Sequence, residues 1–224
     1  MILSVRLSER AMDFLPSLST LLAFAAATLL LAATPGPDMT LSISRSLAQG
    51  KKAALFVVVG TSLGIVVHTM LVAFGISALI TASPTAFLIL KTGGAGYLLW
   101  LAVQAIRFGS KLTVAKVEEQ KGTALSNISS GFWVNLLNPK VIIFFMTFLP
   151  QFVSAGNPAV TQKLLFLGLC FILIGMPVNV AVVLAADWLA SWLQNNRKVL
   201  RGMDYTFAGV FSIFAAKILL TQAR

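Results

Sequence analysis

Of the side chains that do most protein chemistry this chain has few: one cysteine, one histidine and seven acids in 224 residues. The lone Cys170 excludes an internal disulfide and carries no redox information. One histidine beside one cysteine argues against a transition-metal site. There is no His-Glu-x-x-His, no Cys–His set, no phosphate-cradling glycine loop and no carboxylate pair within an apolar run. A catalytic site, a metal and a cofactor are therefore not expected. Charged residues make up only 11% of the chain, against about 25% in soluble domains. No polar stretch is long enough for a second domain, so residues 1–224 read as one.

What fills the chain instead is hydrocarbon. Hydrophobic residues reach 58% and the mean hydropathy is +0.89. That is more apolar surface than a core uses, and the excess faces lipid. Six apolar runs each approach the ~20 residues that cross ~30 Å of bilayer core. They are Leu15 to Ser44, Ala53 to Ala82, Thr85 to Phe108, Gly131 to Phe152, Leu164 to Trp188 and Met203 to Leu220. Gly109 to Asn127 is the longest connection, and Pro177 is expected to kink span five.

The net charge of +10 invites a nucleic-acid reading, which fails because the basic residues sit in short connections between apolar runs. Arg45, Lys51 and Lys52 follow span one, and Arg107, Lys111, Lys116 and Lys121 follow span three. Arg197, Lys198 and Arg201 follow span five, while the opposite side offers only Lys163. The basic side is then cytoplasmic, which puts both termini in the periplasm. Arg6 and Arg10 count against this, and Met12 reads as the natural start, with the first eleven residues as an extension. A secretory signal over Met1 to Ala33 is the competing reading of that end.

The chain is organised around Thr34-Pro35-Gly36-Pro37-Asp38, which interrupts span one. The prolines lack donors and push the residue before each out of helix; Gly36 is free to take positive φ. Backbone groups freed in hydrocarbon have no water to bond, so the break implies a lined cavity. Asn138-Pro139-Lys140 interrupts span four in the same way. Three crossings per half, about 14–109 and 127–224, make the second half insert upside down, and each half opens with a broken span. The predicted fold is all-α and polytopic: six transmembrane helices in two inverted three-helix halves, with helices one and four broken. Residue counting places both breaks toward the cytoplasmic third, whereas true inversion would mirror their depths.

Asp38 meets the free N–H groups and the positive dipole end of the resumed helix. It is either a helix-start acid and no more, or the binder of a substrate ammonium or coupling proton. Lys140 either snorkels to the headgroups or offsets Asp38 and holds a substrate carboxylate. Asn135 and Asn138 suit the backbone groups freed around Pro139. His68 shares a face of span two with Gly60 and Gly64, a spacing that brings helices close; it makes an interhelical hydrogen bond or relays a proton. Lys91, ahead of Gly93, Gly94 and Gly96, snorkels or pairs with an acid such as Asp38. Asn179 re-satisfies the helix near Pro177, and Trp133, Trp188 and Trp192 suit interfacial belts.

Taken in order, Ala33 to Met39, Gly60 to His68, Lys91 to Tyr97 and Gly131 to Phe152 resemble the LysE/RhtB family of bacterial amino-acid exporters. The likeness runs from about Met12 to the C-terminus. Asp38 after Pro-Gly-Pro, with His68 in span two, is more similar to the homoserine, threonine and neutral amino-acid branch than to the lysine branch. The resemblance implies secondary export of amino acids or close derivatives across the inner membrane, driven by the proton gradient or the membrane potential. It implies a small amino-acid substrate and a lipid bilayer as partners, with a coupling proton and a homodimer left open. The competing readings are a membrane-embedded enzyme and a non-transporting scaffold; intramembrane charges beside helix breaks would be needless costs in a scaffold.

Overall fold

The computed structural model describes residues 15–108, 122–154 and 157–222, and their regular structure is entirely helical. Met12 and the lysines Lys111, Lys116 and Lys121 lie outside the described residues.

The Ser17 hydroxyl accepts from the Thr20 amide at 3.3 Å and opens the first helix. Helix α1 spans Leu18–Ala33 and stops where Thr34 turns extended ahead of Pro35. Helix α2 resumes at Pro37, a position whose N–H would be unpaired anyway, and runs to Gln49. The two are bent by 50°. Gly36 corrects one expectation: its φ is −160°, extended backbone that any residue adopts. Among the described residues positive φ occurs at Gly50, at 87°, where α2 hands over to α3.

Helix α3 (Lys51–Ala82) has 32 residues, ~48 Å of length. It is followed by α4 (Pro84–Phe108) and, past the undescribed segment, α5 (Ala124–Leu136). Helix α6 starts as Pro139–Ile143, widens into a π turn over Phe144–Phe148 and tightens into a 3₁₀ turn over Leu149–Phe152. Pro150 has no N–H to offer the preceding turn, which accounts for the uneven winding. The bend between α5 and α6 is 52°. Helix α7 (Val160–Leu184) keeps Pro177 inside an uninterrupted helix. A short α8 (Ala186–Asn195) and α9 (Arg197–Gln222) complete the chain.

Three helices, α3, α4 and α7, together with the bent pairs α1–α2 and α5–α6, are long and apolar enough to cross a membrane. These account for five of the expected spans; the sixth run lies in α9, whose first turns carry Arg197, Lys198, Arg201 and Asp204. Two boundaries move. Span four begins at Ala124 rather than Gly131. Span five ends at Leu184, and Trp188 and Trp192 stack at 5.3 Å on the separate α8. In the three unbroken spans only 39%, 28% and 33% of the apolar windows are buried, so most of that surface points outward, as contact with lipid requires.

Helix α3 lies at the centre, packed along α5, α7 and α2, while α9 packs along α4 and α1 lies against α7 and α9. Glycines set the closest of these approaches. A Cβ at Gly60 would overlap the Ile128 carbonyl of α5, and one at Gly131 the Val57 carbonyl of α3. Beyond the breaks the interior is aromatic: Phe144, Phe145 and Phe148 are fully buried and meet the rings of Phe171 and Phe211.

Candidate functional site

The two breaks lie against each other, and each completes the other. Lys140 starts α6 and reaches back across the gap beside Gly36, where no Cβ intervenes. Its Nζ donates to the carbonyls of Leu31 and Thr34, each at 2.6 Å. Those are last-turn acceptors of α1, freed because Pro35 and Pro37 cannot continue the helix. In the opposite direction Asn135, in the last turn of α5, donates from Nδ2 to Oδ2 of Asp38 at 2.7 Å. Asp38 Oδ1 is buried with no hydrogen-bond partner among the described residues. The Asn138 amide, Lys140 and His68 all act on this carboxylate.

Asn138 caps its own helix: its Oδ1 accepts from the Lys140 amide at 3.0 Å. The expectation that the asparagines satisfy freed backbone thus holds for Asn138, while Asn135 spends its donor on Asp38. Asn135 can do so because of Gly64, where a Cβ would come within 2.5 Å of Asn135 Oδ1. His68, one turn further along that face of α3, places Nε2 3.4 Å from the Asn135 carbonyl and its ring 5.6 Å from that of Phe145. It is an interhelical contact to the backbone of the residue that holds Asp38.

Lys91 is not part of this cluster. Its Nζ donates to the Val153 carbonyl at 3.3 Å and lies 5.5 Å from the Phe87 ring centroid. It ties α4 to the far end of α6, and Gln151 returns the contact by donating to the Lys91 carbonyl at 3.3 Å.

The cluster lines a cavity of about 40 Å³, room for about three waters. Its polar wall is Asp38, Asn135, Asn138, Lys140 and Asn179, and its apolar wall includes Met39, Ile65 and Phe171. Asn179 therefore faces the site. Sequence reasoning missed Asp204 as well, an acid of α9 that is 1% exposed and acts, with Asp38, on the Lys140 charge. No local signal marks it in the sequence, where it follows Arg197, Lys198 and Arg201 and reads as part of a polar helix start; its burial shows only in the fold. Thr34 lines a second cavity of about 370 Å³, shared with Leu30 and Ala33 of α1 and Gly202, Met203 and Thr206 of α9.

The chain resembles known proteins along almost its whole length. It is 29% identical over 195 residues to the homoserine/homoserine lactone efflux protein of Salmonella typhimurium, covering 87% of this chain and 92% of that one. It is 24% identical over 196 residues to the leucine efflux protein of Klebsiella pneumoniae, covering 84% and 89%. An uncharacterized membrane protein of Vibrio cholerae serotype O1 is 30% identical over 203 residues, covering 91% and 97%. No solved structure matches. The profile of LysE type translocators matches residues 29–222, a stretch that contains both breaks, the Asp38–Asn135 contact, Lys140 and Asp204. The chain belongs to the LysE-type translocator family.

Proposed function

We propose that the protein is a secondary exporter of small neutral amino acids, or close derivatives, across the bacterial inner membrane. One observation carries the reading: Asp38 and Lys140, opposite charges from two broken helices, share one small cavity with apolar walls. A zwitterion presents the complement of that pair. Its ammonium suits Asp38 and the carbonyls that end α1; its carboxylate suits the N–H groups that open α2, within the field of Lys140. Met39, Ile65 and Phe171 leave an uncharged surface for the side chain, and the efflux proteins of Salmonella and Klebsiella are named for homoserine and leucine. A site with room for about three waters is too small for a leucine-sized substrate, so loading requires the breaks to part. Alternating access around the broken helices meets that need, with the proton gradient or membrane potential as the drive and Asp38 as the group that takes up the proton. The termini lie in the periplasm in this scheme.

The test is efflux of labelled amino acids from loaded cells or proteoliposomes, over a panel of all common side chains. Export of one or more uncharged members is expected, with at least a tenfold loss in Asp38→Asn. A wild-type protein that exports none of the panel, or an Asp38→Asn variant with unchanged export, overturns the reading.

A further inference from the structure

The cavity between the breaks has one wall that belongs to neither. Off the two broken spans its lining is Ile65 of α3 and Phe171, Gly175 and Asn179 of α7. All four are uncharged. The three α7 residues, spaced four apart, form one stripe of that helix, and Gly168 continues it three residues before Phe171.

The two glycines of the stripe differ. Gly168 sits on α3, where a Cβ would overlap the Thr69 side chain, so close packing demands glycine there. Gly60, Gly64, Gly94 and Gly131 are alike in this: a Cβ on each would come within 3 Å of a neighbouring helix. Gly175 is equally buried, yet a Cβ there meets nothing nearer than Phe171 Cε1 at 3.9 Å, an ordinary contact. Backbone shape does not require glycine either, since α7 runs unbroken through this position without a positive φ. Alanine would be the better helix former. The Phe171 ring is engaged by Phe144 and Phe145, with centroids at 5.3 and 5.1 Å, and leaves the room beside Gly175 to the cavity.

We propose, resting on the transport reading above, that Gly175 is a specificity-determining residue: the room left by its missing side chain receives the substrate's, and sets how long an uncharged side chain the exporter accepts. In that reading the ammonium and carboxylate are both taken by groups of the broken spans, which leaves the substrate side chain facing α3 and α7. Ile65 and Phe171 flank the room with apolar surface, and Asn179 adds an amide one turn further along. The class that fits is an amino acid whose uncharged side chain runs several atoms past Cβ and ends in carbon or a hydroxyl.

A straight-chain series isolates length: alanine, 2-aminobutyrate, norvaline and norleucine. Binding to the full-length protein in detergent is read from the concentration of each that half-maximally raises the melting temperature, and export from efflux in proteoliposomes. Gly175→Ala is expected to melt no lower than the wild type. It is expected to weaken binding and export of the longest member that the wild type accepts by about tenfold, and of alanine by less than about threefold, as for one methylene in a tight pocket. Gly175→Val is expected to move the cut-off to a shorter member still. A lower melting temperature in Gly175→Ala makes the glycine a packing need and overturns the proposal. An equal loss across the series makes it a source of flexibility beside Pro177 and overturns the proposal too. A wild-type protein that exports neither this series nor any common amino acid overturns the transport reading, and the role of Gly175 falls with it. Wild-type export without the length-dependent loss in Gly175→Ala overturns the role of Gly175 alone.

Discussion

The two broken spans bend almost equally, by 50° and 52°, yet they manage the break in opposite ways. The second is self-sufficient. Its gap is Leu137 and Asn138, and the Asn138 side chain caps the helix that follows. The first lacks that device. Gly36 precedes α2 with no side-chain cap, and the carbonyls of Leu31 and Thr34 are satisfied by a lysine from the other break. One break thus lends and the other borrows. On the proposed reading, the borrower is where a ligand would find backbone groups to take over, because their present donor is a side chain that can move. A span that mends itself with its own asparagine offers no such opening.

Removing the lender attacks this contrast most directly. Lys140→Met leaves the Leu31 and Thr34 carbonyls buried without a donor, a loss expected at about 2–4 kcal/mol, read as reduced thermal stability in detergent. A near-neutral result would make the first break as self-sufficient as the second. Gly64→Ala comes next. The added methyl meets the Asn135 side chain, with an expected cost of about 1–3 kcal/mol and a fall in export as Asn135 leaves Asp38. Stability lost with export intact would mean that the Asn135–Asp38 bond is scaffolding.

Asn138→Ala removes a single cap and is expected to cost about 1 kcal/mol. A loss as large as that of Lys140→Met would erase the distinction between the breaks. Gly36→Ala is the smallest. Its backbone is extended and a Cβ would lie 3.6 Å from Lys140, so stability should shift by no more than about 0.5 kcal/mol. A larger loss would show that the lysine needs a path clear of any methyl.

Both breaks, and the charge after each, can be read directly from the chain, because proline in an apolar run has few outcomes and a charge beside it has fewer. The glycine face of Gly60 and Gly64 was equally legible, and it packs on α5 as its spacing requires. Other features leave no local trace. The start of α5 reads as a loop because Ala124 to Ser130 is polar, yet Asn127 is buried and its amide donates to Gln49 at 3.4 Å. The end of span five at Ala185 has no proline or glycine to announce it. Lys91 and Lys140 look alike as lone lysines in apolar runs. What separates them is which carbonyl each finds across the fold, and that depends on packing between residues some sixty or a hundred positions apart.

The seam between α3 and α5 has a mechanical consequence. Gly60 and Gly131 bring the two main chains into contact at two levels, with Gly64 admitting Asn135 between them. Helices notched together in this way cannot slide, since shifting by one residue sets Val59 or Thr61 against a carbonyl that glycine clears. They form a strut, and whatever travel the membrane cycle demands falls to the elements leaning on it.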